Sequence, residues 1–154
     1  MPAAASLPLA PVAFAGIPAI ASSPWLYPVL ESLHIFGVAL LLGNLVLIEL
    51  RVWGHGSTLP AKALARLALP LALCGFGLLA LSGLTMFAAA PAELLANRVF
   101  VVKMGLVMLA GLNAAAFHAR DGLGRLDGWA RLQTLLSLGL WLAAMICGRW
   151  IAYA

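Results

Sequence analysis

The chain has 154 residues, 64% of them hydrophobic and only 9% charged, with a net charge of +4. Soluble domains carry about 25% charged residues, so this deficit excludes a soluble globular domain and predicts an integral membrane protein. The nine Lys and Arg residues are spread along the chain rather than gathered in one water-facing patch, which excludes a nucleic-acid-binding surface.

Residues 1–24 are uncharged and apolar but broken by Pro2, Pro8, Pro11, Pro18 and Pro24. A secretory signal needs a basic n-region, which is missing here, and the prolines oppose a straight helix. The expectation is a proline-rich, outward-facing arm, followed by a transmembrane domain over 25–154. Four stretches reach the roughly 20 apolar residues that a hydrocarbon core requires: approximately 26–50, 67–90, 99–119 and 132–153. Trp25 and Tyr27 open the first span and Trp150 and Tyr153 close the last. Trp53 and Trp129 mark the opposite side, giving an aromatic belt at both surfaces.

Arg51, Lys62 and Arg66 surround the first loop, and Arg120, Arg125 and Arg131 surround the third. Short loops rich in Lys and Arg stay cytoplasmic. The termini and the 91–98 loop then face outward, which is the periplasm for a bacterial inner-membrane protein. Pro70 reads as a first-turn proline or a mild kink. Cys74 and Cys147 fall in apolar helices at no metal-site spacing and read as small hydrophobes. The span glycines read as close helix packing.

The polar residues inside the spans repeat. His34, Asn44, Glu49 and Arg51 are spaced 10, 5 and 2 residues apart, and Lys103, Asn113, His118 and Arg120 follow the same spacing 69 residues later. A second echo follows each set: Ala65-Arg66-Leu67 precedes Gly83, and Ala130-Arg131-Leu132 precedes Gly148, with 17 residues from Arg to Gly both times. The predicted fold is therefore an all-α, four-helix membrane bundle made of two tandem, parallel helical hairpins, with His34 and Lys103 at one depth.

Depth sorts these residues into two layers, because a helix rises about 1.5 Å per residue. The outer layer holds Glu31, His34, Lys103 and Arg149, with Asn97 and Arg98 at the rim. The inner layer holds Asn44, Glu49, Asn113 and His118, flanked by Arg51 and Arg120. Ionisable residues within a membrane mark functional sites by default. A neutral imidazole ligates metals and haem iron, and Lys and Arg suit haem propionates. The structural alternative for the outer layer is an ion pair of Glu31 with Lys103 or Arg149, with His34 bonded to a helix backbone. In the inner layer, Asn44 and Asn113 could hydrogen-bond across the bundle axis as packing glue. Glu49 and His118 could form a salt bridge or snorkel to water, or serve as a proton relay or second ligand site. His34 and His118 differ in depth by about 15–20 Å, which argues against one bis-His haem. Met86, at the end of the second span, is a candidate second ligand. His34 with Met86 and Met104 could instead hold copper(I).

The stretch His34-Ile35-Phe36-Gly37-Val38-Ala39-Leu40-Leu41-Leu42-Gly43 resembles the copper-resistance D family. It is also similar to the HemJ-type protoporphyrinogen oxidases, in which a first-helix His and a later-helix Lys accompany b-type haem. His34 and Lys103 match those two positions, while Leu41-Leu42-Gly43 stands where that family has Trp-Ala-Gly. The resemblance covers roughly 26–153. It implies an inner-membrane b-type haem protein with an electron-transfer or oxidoreductase role. His34 would be the axial ligand, Lys103 a second ligand or propionate partner, Arg149 a further propionate partner, and Glu31 a group that tunes His34 or moves a proton. The implied partners are the lipid bilayer, the quinone pool and an outward-facing redox or metal-binding protein, with homo-oligomerisation expected of so small a bundle. The alternatives are a copper-handling permease and a non-catalytic membrane subunit of a larger complex.

Overall fold

The computed structural model describes residues 16, 17, 20 and 23–153. Their helices are α1 (Leu26–Val52), α2 (Ala61–Ala89), α3 (Pro91–Ala96), α4 (Arg98–Ala119), α5 (Gly122–Arg125) and α6 (Gly128–Trp150), closed by a 3-10 turn over Ile151–Tyr153. There is no strand among the described residues. Four helices are long and apolar enough to cross a membrane: α1, α2, α4, and α6 with its final turn. The chain is a multi-pass membrane protein built as a four-helix bundle. Most of the expected 1–24 arm lies outside the described residues. Within it, the Ile17 amide donates to the Ala88 carbonyl at 2.8 Å, at the end of α2.

One end of the bundle carries the arginine-rich loops, and the other carries α3 and the final turn. The two tight pairings are α1 with α2 and α4 with α6, and α1 also packs on α6 to join the hairpins. The first hairpin closes on small residues. Ala61, Ala65, Ala68, Ala72, Gly75 and Ser82 are buried on α2 at the alternating three- and four-residue steps of one helix face. At the crossing, a Cβ on Gly75 would stand 2.7 Å from the Leu41 amide nitrogen and 2.9 Å from the Gly37 carbonyl oxygen. The α1 and α2 backbones are in direct contact there, the device that small residues permit between membrane helices.

A compact apolar cluster of Ile48, Val52, Ala68, Phe117 and Ala130 ties the long helices together at the arginine-rich end. Above it, Phe76 of α2 meets Trp141 of α6 edge to face at 6.2 Å, and Phe87 of α2 stacks on Phe100 of α4 at 5.7 Å. Helix starts are capped where the chain re-enters: Asn97 Oδ1 accepts from the Val99 and Phe100 amides, and Asp127 Oδ1 accepts from the Ala130 amide. The Trp53 indole N–H donates to Thr134 Oγ1 at 2.9 Å, pinning the end of α1 to α6. Trp53→Phe keeps the ring and removes this bond. Denaturant titration in detergent should show a loss of about 1 kcal/mol.

One boundary differs from the expectation in a way that matters for Pro70. Helix α2 begins six residues before 67, because Lys62 and Arg66 sit on exposed helix positions from which their charges can reach the surface. Pro70 is consequently not a first-turn residue. It lies inside α2 on an exposed face and interrupts the backbone bonding without ending the helix. The 120–127 loop contains the two non-glycine residues with left-handed backbones among the described residues, Asp121 and Leu126, which bracket α5.

Candidate functional site in the upper bundle

His34 is half-buried on α1, and its Nδ1 lies 3.0 Å from Ser82 Oγ of α2. Ser82 has one hydroxyl proton, and its oxygen is 2.7 Å from the Leu78 carbonyl and 3.2 Å from the Leu79 carbonyl. With that proton committed to its own helix, Ser82 accepts from His34. Nδ1 therefore carries the imidazole hydrogen, and Nε2 keeps its lone pair. This is how a supporting hydrogen bond fixes the tautomer of a ligating histidine. The ring lies over Gly83, where a Cβ would stand 3.2 Å from His34 Cε1. Gly83 thus supplies the room the imidazole occupies.

Lys103 on α4 has the matching arrangement in the second hairpin. It is half-buried, and its stem crosses Gly148 of α6, where a Cβ would stand 3.4 Å from Lys103 Nζ. Ser82 precedes Gly83 as Cys147 precedes Gly148. Lys103 is the charged group that acts on His34. The two polar residues with equivalent sequence positions thus face the same interior region, each over a glycine of its hairpin partner.

The other expected outer-layer residues lie elsewhere. Glu31 is exposed on α1, one turn from His34, and forms neither of the two ion pairs among the described residues, Lys62–Asp121 and Arg120–Asp127. Arg149 is exposed and bound to Tyr153: its Nη2 donates to the phenol oxygen at 2.9 Å, and its guanidinium lies 5.3 Å from the ring centroid. Met86 lines an open cleft of about 990 Å³ at the terminal end, with Tyr27, Glu93, Asn97, Arg98 and Ile151. His34 and Lys103 do not line that cleft. Among the described residues, no group of three or more His, Cys, Asp or Glu side chains is placed to hold a metal ion.

In the inner layer, Asn44 and Asn113 do not hydrogen-bond to each other. Asn44 Nδ2 donates to the Leu40 carbonyl of its own helix at 2.7 Å, whereas Asn113 Nδ2 donates across to the Gln133 carbonyl of α6 at 2.8 Å. Asn113→Leu should therefore weaken the α4–α6 pairing by about 0.6 kcal/mol, and Asn44→Leu by less, in a side-by-side denaturation series. His118 is exposed, edge-on to Phe117 at 5.6 Å. Glu49 is buried, faces Ser137 of α6, and leaves its Oε1 without a partner.

Sequence reasoning passed over Ser82, the residue that orients His34. Its signal was a hydroxyl in an apolar helix, immediately before the glycine of the Arg-to-Gly echo. No protein-family model, curated protein or solved structure matches the chain. The fold and the site define a class, a polytopic four-helix membrane protein with an oriented histidine and a lysine in its upper bundle.

Proposed function

We propose that this protein is a b-type haem protein of the bacterial inner membrane with an electron-transfer or oxidoreductase role. The observation that carries this reading is the His34–Ser82 hydrogen bond. It leaves Nε2 unprotonated, half-buried in a membrane helix and within electrostatic reach of Lys103. An imidazole so oriented is fit to ligate iron, and Lys103 is fit to be a second ligand or to neutralise a propionate. A bound haem supplies a one-electron carrier whose potential is set by its ligands and surroundings. Ser82 holds the imidazole in one tautomer, Gly83 keeps space beside it, and the apolar helices exclude water from both.

Arg149 is exposed and Tyr153 holds its guanidinium, so the proposal gives it no direct contact with the haem. Glu31 is available to a partner or to water at the same surface. The arginine-rich loops would lie in the cytoplasm and the termini in the periplasm, by the rule that basic loops remain inside. The tandem-hairpin origin belongs to this reading as well. It is supported by the equivalent seating of His34 over Gly83 and Lys103 over Gly148.

Ser82→Ala tests the orienting role. It should lower haem affinity roughly 10–100-fold, the usual consequence of losing the partner of a ligating histidine, and should shift the reduction potential of whatever haem remains. Ser82→Thr, which keeps the hydroxyl, should restore both. If Ser82→Ala binds haem at wild-type affinity and potential, the hydrogen bond does not organise the site.

A further inference from the structure

At the arginine-rich end, the junction of α1 and α6 encloses a carboxyl that the haem reading does not use. Glu49 is only 8% exposed, and its Oε1 is buried with no hydrogen-bond partner. The side chain that faces it is Ser137 of α6. Three basic side chains at this end have contacts elsewhere. Arg51 donates to the Leu59 and Ser57 carbonyls of the first loop. Arg120 is held by Gln133 Oε1 at 3.2 Å and Asp127 Oδ2 at 3.5 Å. Exposed His118 packs against Phe117.

A buried carboxylate with no cation beside it is expensive, and proteins relieve that cost by pairing the charge or by neutralising it. Pairing is absent among the described residues. A bound proton removes the charge. It also leaves the unpartnered Oε1 on a neutral carboxyl, a far smaller penalty.

Polar side chains also lie on the side of Glu49 nearer the loops. Trp53, one turn further along the same face of α1, is exposed, and its indole N–H reaches Thr134. The Thr134 hydroxyl donates to the Arg131 carbonyl at 2.8 Å. Thr134 and Ser137 are three residues apart on one face of α6, so two hydroxyls share the face of α6 that meets the end of α1.

We propose that Glu49 is a proton-binding site, a buried carboxyl that holds one proton between α1 and α6 and exchanges it with the arginine-rich side. The proposal is independent of whether haem is bound at His34.

The test uses the full chain in detergent and in liposomes. A hydrophobic carbodiimide, which reacts with protonated carboxyls, should modify Glu49 near neutral pH, with labelling that declines as pH rises. Mass spectrometry reads the site, with exposed Glu31 and Glu93 as internal comparisons. Infrared spectra should show a protonated-carboxyl carbonyl band that shifts in heavy water and disappears in Glu49→Gln. The infrared band decides if the reagent fails to reach the site. Absence of the band at neutral pH, its persistence in Glu49→Gln, or its removal by sodium chloride would overturn the proposal, the last by showing a cation site instead. If Glu49→Gln does not fold, the pH dependence of the band and of Glu49 labelling in the wild-type chain decides.

Discussion

If His34 ligates haem as proposed, replacing it by alanine abolishes the Soret band of the purified protein completely, not merely weakens it. The His34 imidazole has an oriented, unprotonated ring nitrogen, and its hydrogen-bond partner is a serine committed to its own helix. Alanine removes the imidazole and leaves Ser82 satisfied by the Leu78 carbonyl, so no buried polar atom is orphaned by the change. The helix should therefore form normally, since alanine is the best helix former. Size-exclusion behaviour and helical circular dichroism should match the wild type while iron falls to background. Lys103→Met should have a milder effect, with haem retained at reduced occupancy if Lys103 serves a propionate. A His34→Ala protein that keeps its full Soret band would remove His34 from the site.

The largest effect on stability is expected at the α1–α2 crossing. At Gly75 even a methyl group would sit 2.7 Å from the Leu41 nitrogen and 2.9 Å from the Gly37 carbonyl oxygen, and both obstacles are backbone atoms that cannot rotate away. Gly75→Ala should force the helices apart and cost about 1–3 kcal/mol, and Gly75→Leu should prevent the hairpin from closing. At Gly77, two residues on, a Cβ would meet nothing within 4 Å. Gly77→Ala should therefore be neutral or stabilise by up to about 1 kcal/mol through helix propensity. Equilibrium unfolding in mixed micelles distinguishes the two. Equal effects at both positions would mean that the helices do not touch there. The widening would also carry Ser82 away from His34, so Gly75→Ala should lower haem affinity as a secondary effect.

Much of the fold was legible because membrane helices announce themselves by composition and length. The Arg-to-Gly spacing shared by 66–83 and 131–148 also pointed to a geometric fact, since Gly83 and Gly148 lie under His34 and Lys103. What spacing could not determine was helix rotation. Asn44 and Asn113 occupy equivalent sequence positions, yet one bonds its own helix and the other bonds α6, because the sequence does not say which face each helix turns to its neighbour. Rotation likewise exposes Glu31 and Arg149 while it half-buries His34 and Lys103. Ser82 was hidden for a different reason. A serine bonded to the carbonyl four residues earlier is ordinary in an apolar helix, and only its approach to His34 gives it a further role. The early start of α2 was hidden because Lys62 and Arg66 count as loop charges in a hydropathy reading but snorkel from a helix in three dimensions.

Haem binding in the upper bundle is tested by a visible spectrum of the detergent-purified protein, oxidised and dithionite-reduced, with iron and copper measured on the same sample. A protein that holds haem at His34 gives a b-type reduced spectrum, with iron stoichiometric to protein or to a defined oligomer. A colourless, iron-free protein from haem-replete cells would contradict that assignment, and stoichiometric copper in that sample would move His34 to the copper-handling reading.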